Sequence, residues 1–155
     1  MTSLLKLGLP SSTEINPMKK ITSSTYKKDK FYNIIKLAAT VLLKHSNVIT
    51  PADMFISIGN LTKENYEKWR FKKIPYLEKV IECNLSSATR KLRILKYCTL
   101  EIGLKPSRSI YKSWGKGEKI LLRFSKTNNE LIEDLYSTHY ILKDQKDFEE
   151  YSHNG

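Results

Sequence analysis

The sequence predicts a mainly α-helical domain of about six helices that carries one antiparallel β-hairpin just before its last helix. Three observations lead there. Apolar residues recur at helical spacing through the first two thirds of the chain, the period changes to two between Ser109 and Ser125, and capping residues punctuate the periodic runs. At 155 residues the chain is long enough for one domain with a sizeable core.

Asp29 can cap a first helix whose apolar positions are Phe31, Ile34, Ile35, Ala38, Val41 and Leu42, ending near His45 to Asn47. Thr50 followed by Pro51 opens a short second helix through Ile58, and Gly59 can end it in the left-handed region. Thr62 caps a third helix, with Glu64 and Asn65 in its first turn, that runs to about Lys72. A fourth, from Pro75 to Cys83, would bury Leu77, Val80 and Ile81. The longest extends from about Ser87 to Glu101: Ala88, Leu92, Leu95, Cys98 and Ile102 share one face, and Arg90, Arg93, Lys96 and Tyr97 the other.

Gly103 stops that helix, and the alternating run over 109–125 then predicts the hairpin. Gly115-Lys116-Gly117 supplies its turn, with Ile110 and Trp114 on the core side of one strand and Ile120, Leu122 and Phe124 on that of the other. Tyr111 then faces outward. The last helix begins after Asn128 or Asn129 and extends to about Lys143, with Glu130, Glu133 and Asp134 where the helix dipole favours anions. The domain organisation expected is a flexible basic Ser/Thr-rich tail over 1–28, a single domain over 29–143 and an acidic tail over 144–155.

Charge is the strongest functional signal. Residues 1–126 hold 25 Lys and Arg against 9 Asp and Glu, whereas residues 127–155 hold 2 against 7. Such a surplus stays solvated and attracts polyanions, so nucleic acid is the leading partner class. Lys-, Ile- and Asn-rich usage is also what an AT-rich genome produces, which leaves compositional drift open as the origin of part of the charge. The stretch Ile34 to Leu43 is interrupted by Lys36 and too short to cross a bilayer, so no membrane partner is expected. Cys83 and Cys98 sit in apolar patterns without metal-ligand spacing; neither a metal nor a cofactor is expected, and a reducing cytoplasm fits. Nucleoid or nuclear association follows if the partner is genomic DNA. The Ser-, Thr- and Lys-rich start leaves an organellar transit peptide open.

The stretch Pro51-Ala52-Asp53-Met54-Phe55-Ile56-Ser57-Ile58-Gly59, with Trp69-Arg70 and Ile74-Pro75-Tyr76-Leu77-Glu78 following it, loosely resembles the Cro/repressor-type helix-turn-helix over residues 50–83. Phe55 stands where that family has a small residue, and the spacing from the turn to Trp69 is one residue longer than in that family. The resemblance implies a second helix lying in the major groove, where base edges are displayed, with Lys63, Asn65 and Lys68 facing it. Arg70, Lys72 and Lys73 extend the basic character of that helix.

Arg90, Arg93 and Lys96 form a second candidate contact, and the hairpin a third: Arg108, Lys112, Lys116, Lys119 and Arg123 could hold phosphates as a wing does. Tyr66, Trp69, Phe71, Tyr76, Tyr97, Tyr111 and Trp114 interleave with these charges, and any of them that is exposed could stack unpaired bases. Duplex DNA is favoured, for a small regulator or accessory factor. Structured RNA is one alternative; another is a basic protein that blocks another protein or a nuclease complex. No enzyme is expected; the nearest thing to a metal-independent acid/base cluster is Glu133, Tyr136, His139 and Tyr140.

Overall fold

The computed structural model describes residues 20–143, so the acidic tail and most of the basic one lie outside the described residues. Five α-helices, two short 3-10 turns and a three-stranded antiparallel sheet make up this part. In chain order they are a 3-10 turn Tyr26–Lys28, α1 Tyr32–Leu43, β1 Val48–Ile49, α2 Pro51–Ser57, α3 Lys63–Arg70, a 3-10 turn Leu77–Val80, α4 Leu85–Ile102, β2 Lys105–Arg108, α5 Glu130–Ser137 and β3 Thr138–Ile141.

Local chemistry sets most helix boundaries. The side chains of Thr50, Thr62, Asn84 and Asn129 accept hydrogen bonds of 2.8–3.1 Å from the backbone N–H three residues on, each satisfying a donor that a helix start leaves free. Ahead of α1, the Asp29 carboxylate accepts from the Phe31 N–H at 2.9 Å. Gly103 ends α4 at φ +103, where a side chain would be strained.

α1 lies on α4, burying Ile35, Ala38 and Ala39 against the stripe of Ala88, Leu92, Leu95 and Cys98 predicted for the long helix. Ile34, Val41 and Ile102, expected on these apolar faces, are exposed. Burial pushes the Cys98 thiol up to about 11, as an apolar site does to a thiolate. A chain of ring contacts runs through the core: Phe55 to Tyr136, Tyr136 stacked on Phe124 at 5.4 Å, Phe124 to Trp69, and Trp69 to Tyr66.

The structure departs from five of these expectations. The predicted fourth helix is only the 3-10 turn Leu77–Val80, because Ile81 turns extended and the Glu82 N–H, which an α-helix would bond to Glu78 O, donates to Asn60 O at 2.7 Å; the free N–H groups of Leu77 and Glu78 at its start donate to the carbonyls of Arg123 and Phe124. The hairpin over 109–125 narrows to one bridge, Lys112 with Leu121, flanked by the bonds Leu122 N–H to Tyr111 O and Ser113 N–H to Ile120 O. Beyond these, its backbone serves other partners: Trp114 N–H donates to Arg70 O at 2.7 Å, and the Phe124 and Ser125 N–H groups donate to the Glu133 carboxylate at 3.1 and 2.6 Å. The first arm also has the opposite face inward, with Tyr111 buried and Ile110 73% exposed.

The last helix stops at Ser137, and the residues expected to continue it form the central strand of the sheet, ordered β1-β3-β2. Val48 pairs with Ile141 and Ile49 with Tyr140 on one side, and Lys105 to Arg108 pair with Ile141 to Thr138 on the other. Finally, the fold begins before Asp29: Ile21 and Tyr26 are buried in the core, and the Tyr26 hydroxyl donates to Glu101.

Candidate nucleic-acid interface

The end of α3 and the loop around Gly115 meet in one place. Arg70 is the hinge of this contact. Its guanidinium carbon lies 4.6 Å from the ring centre of Trp114, 4.9 Å from Tyr111 and 6.0 Å from Tyr66, and its terminal nitrogens donate to the Tyr66 hydroxyl and the Lys112 carbonyl, both at 3.1 Å. Its Nε–H is buried without an acceptor among the described residues. Arg70 is thus a packing residue held by cation–π contacts and hydrogen bonds, not a free groove-facing cation.

Two rings stay at the surface beside it. Trp114 is 41% exposed and Phe71 48% exposed, their centres 5.6 Å apart and their planes at 77°. Gly115, at φ +105, brings its Cα against the Phe71 ring, where an added Cβ would sit 3.5 Å from a ring carbon. Trp69, by contrast, is fully buried, its indole N–H donating to Arg123 O at 2.8 Å. The expectation that Trp114 belongs to the core and Tyr111 to the outside is reversed, because a one-residue shift in a strand-like arm exchanges its faces.

The cations divide into three groups. Lys72, Lys73, Lys112, Lys116 and Lys119 flank the two rings along the chain, are exposed, and form no ion pair with a carboxylate among the described residues. Lys72 adopts φ +65, the left-handed turn residue that ends α3, and Lys119 caps the Gly115 carbonyl at 2.5 Å. A second group is compensated: Lys68 is 3.9 Å from Glu64, Arg90 pairs with the buried carboxylate of Asp29, and Arg108 pairs with Asp134 at 2.6 Å. Arg123 is turned toward Tyr76 and the Lys126 carbonyl. The third group, Arg93 with neighbours of Arg90, lines a separate cavity; Lys96 extends over Tyr97, and Lys63 and Asn65 sit in the first turn of α3.

The residues of the suggested acid/base cluster are not brought together. Glu133 accepts from Phe124 and Ser125, the Tyr136 hydroxyl donates to Glu78 at 3.1 Å, and Tyr140 is buried. His139 instead hydrogen-bonds the Ser109 hydroxyl through Nδ1 at 3.0 Å and the Tyr111 hydroxyl through Nε2 at 2.6 Å, and burial holds its pKa below the ordinary value. Among the described residues, no group of three His, Cys, Asp or Glu is arranged to hold a metal ion, and no helix is long and apolar enough to cross a membrane.

Sequence reasoning missed Lys20, Lys28 and Lys30 as members of a cationic site. The contacts that gather them with Arg93 are tertiary, and the only signal in the sequence was the density of Lys before residue 30. No family model, curated protein or solved structure matches this chain.

Proposed function

We propose that this protein binds nucleic acid, and that the surface formed by the end of α3 and residues 110–121 takes unpaired bases. The observation that carries this reading is the pair of exposed rings, Trp114 and Phe71, set among five lysines that no carboxylate neutralises among the described residues. An aromatic face accepts any base, and lysines beside it hold the phosphates on either side. Residues 110–126 contain one acid, Glu118, against five bases, so the field there favours a polyanion. Arg70 behind Trp114 fixes the ring before any ligand arrives, which lowers the entropic cost of stacking.

Single strands and loops are favoured over duplex DNA as ligands of such a surface. The exposed side of α3 presents Glu64 beside Lys68, which weakens its case as a groove-reading helix.

The experiment is a salt-titrated binding series against single-stranded DNA, single-stranded RNA and duplex DNA. Trp114→Ala should weaken single-strand binding by about 5- to 100-fold, the loss of one stacked base. Lys112→Gln, Lys116→Gln and Lys119→Gln together should lower the slope of log K against log salt by about 2. Binding unchanged in Trp114→Ala, or no affinity for any of the three polymers at physiological salt, refutes the proposal; the second result favours a protein partner.

A further inference from the structure

A second cationic site lies away from the two exposed rings. An open cavity of about 930 Å³ is bounded by the chain leading into α1 and by the first two turns of α4. Its lining includes Lys20, Lys28, Lys30, Arg90 and Arg93, with Asp29 as the one acid. The Asp29 carboxylate is already engaged, pairing with Arg90 and accepting from the Phe31 N–H, and it is 3% exposed. Lys20, Lys28, Lys30 and Arg93 have no carboxylate partner among the described residues, so four positive charges share one concave surface.

Like charges gathered in a concavity repel one another, and low-dielectric walls strengthen that field. A bound polyanion removes the repulsion. Of the hydroxyls in the lining, that of Ser87 has no acceptor among the described residues and can donate to a phosphate oxygen, whereas those of Thr25, Ser86 and Thr89 donate to Lys20 O, Asn84 Oδ1 and Leu85 O. The first turn of α4 contains no acidic residue to compete with an anion. Ile21 and Phe31 add an apolar wall, and the volume exceeds what one phosphate fills.

We infer that this cavity binds a chain of two or three linked phosphates, as carried by a nucleoside triphosphate or by the phosphorylated end of a nucleic-acid strand. The inference does not depend on base stacking at Trp114, and the two fail separately.

The test uses calorimetric titration of the full chain with tripolyphosphate and, in a second arm, with ATP. Tripolyphosphate should bind saturably at one site. The variant Lys28→Gln/Lys30→Gln/Arg93→Gln should weaken that binding by about tenfold or more, whereas Lys44→Gln/Lys79→Gln/Lys105→Gln, which removes the same charge elsewhere, should leave it within about twofold. Arg90 is left intact because Asp29 depends on it.

Tighter binding of ATP than of tripolyphosphate brings in the apolar wall, and equal binding assigns the phosphates alone; both support the site. The two sources separate by competition. A single strand with a 5′-triphosphate that displaces ATP better than its 5′-hydroxyl twin marks a strand end as the ligand, and equal displacement by the twins marks the free nucleotide. Absence of saturable tripolyphosphate binding, or an equal loss in both triple variants, overturns the inference.

Discussion

Asp29 and Arg90 show how one side chain can change meaning between sequence and structure. On a helical wheel Arg90 joins Arg93 and Lys96 as a solvated basic face, yet 61 residues earlier in the chain Asp29 is folded against it and buried. Removing one member of a buried pair leaves the other uncompensated, which costs more than the pair contributes. Arg90→Ala should therefore lower unfolding stability by about 3 kcal/mol, measured by urea denaturation, and Asp29→Asn added to it should restore most of the loss. A loss below about 0.5 kcal/mol would show that the pair is solvated. No pattern within a few residues could have shown this contact, whereas the caps at Thr50 and Thr62 were legible because their partners lie three residues away.

At the scale of elements, two helices end on left-handed residues by different means. α4 ends on Gly103 at φ +103, whereas α3 is followed by Lys72 at φ +65, where a Cβ is strained. A Cβ at Gly103 would touch nothing within 4 Å, so the cost of Gly103→Ala is conformational alone, about 1 kcal/mol. Lys72→Gly should act in the opposite direction and raise stability by up to about 1 kcal/mol, while removing a cation from the ring surface. Thermal unfolding of both variants checks the pair of signs, and destabilisation by Lys72→Gly would show that its side chain packs.

Helices were the legible elements, since capping and period are local properties. The sheet was not. β1 has two residues, β2 is exposed throughout, and β3 follows α5 with no intervening breaker, so none offers an alternating run of useful length. The period-two run that was visible, 109–125, belongs to a loop whose backbone is shared among α3, the Leu77–Val80 turn and Glu133. An alternating run also gives no sign that Trp114 and Phe71 are neighbours, whereas charge alone points to Lys112, Lys116 and Lys119 as candidates.

For the molecule as a whole, stability should be highest near neutral pH, for reasons that differ on the two sides. His139 is held below its ordinary 6.5 by burial, so the unfolded chain takes up a proton first and stability is lost as pH falls from about 7 through that lowered value. On the alkaline side the Cys98 thiol, raised from 9.0 to about 11, contributes stability at or below pH 9 that is lost as pH rises through 11. Urea midpoints should fall between pH 7.5 and 5.5, and His139→Gln should flatten that limb. An equal slope in the variant would assign the acid sensitivity to other groups.

The summed charge points to a polyanion as an expectation but to no particular surface for one, because arginines that are equivalent along the chain are divided by folding between ion pairs, ring packing and open surface. The central place of β3 has an effect during synthesis. Val48 cannot find its partner Ile141 until 93 further residues have left the ribosome, and β2 waits for the same segment. α1 and α4 can pack on each other once both have emerged, but closure of the sheet is postponed until the last described strand is out. A nascent chain stalled before Thr138 would therefore present two unpaired strand edges to chaperones, whatever ligand the finished protein takes.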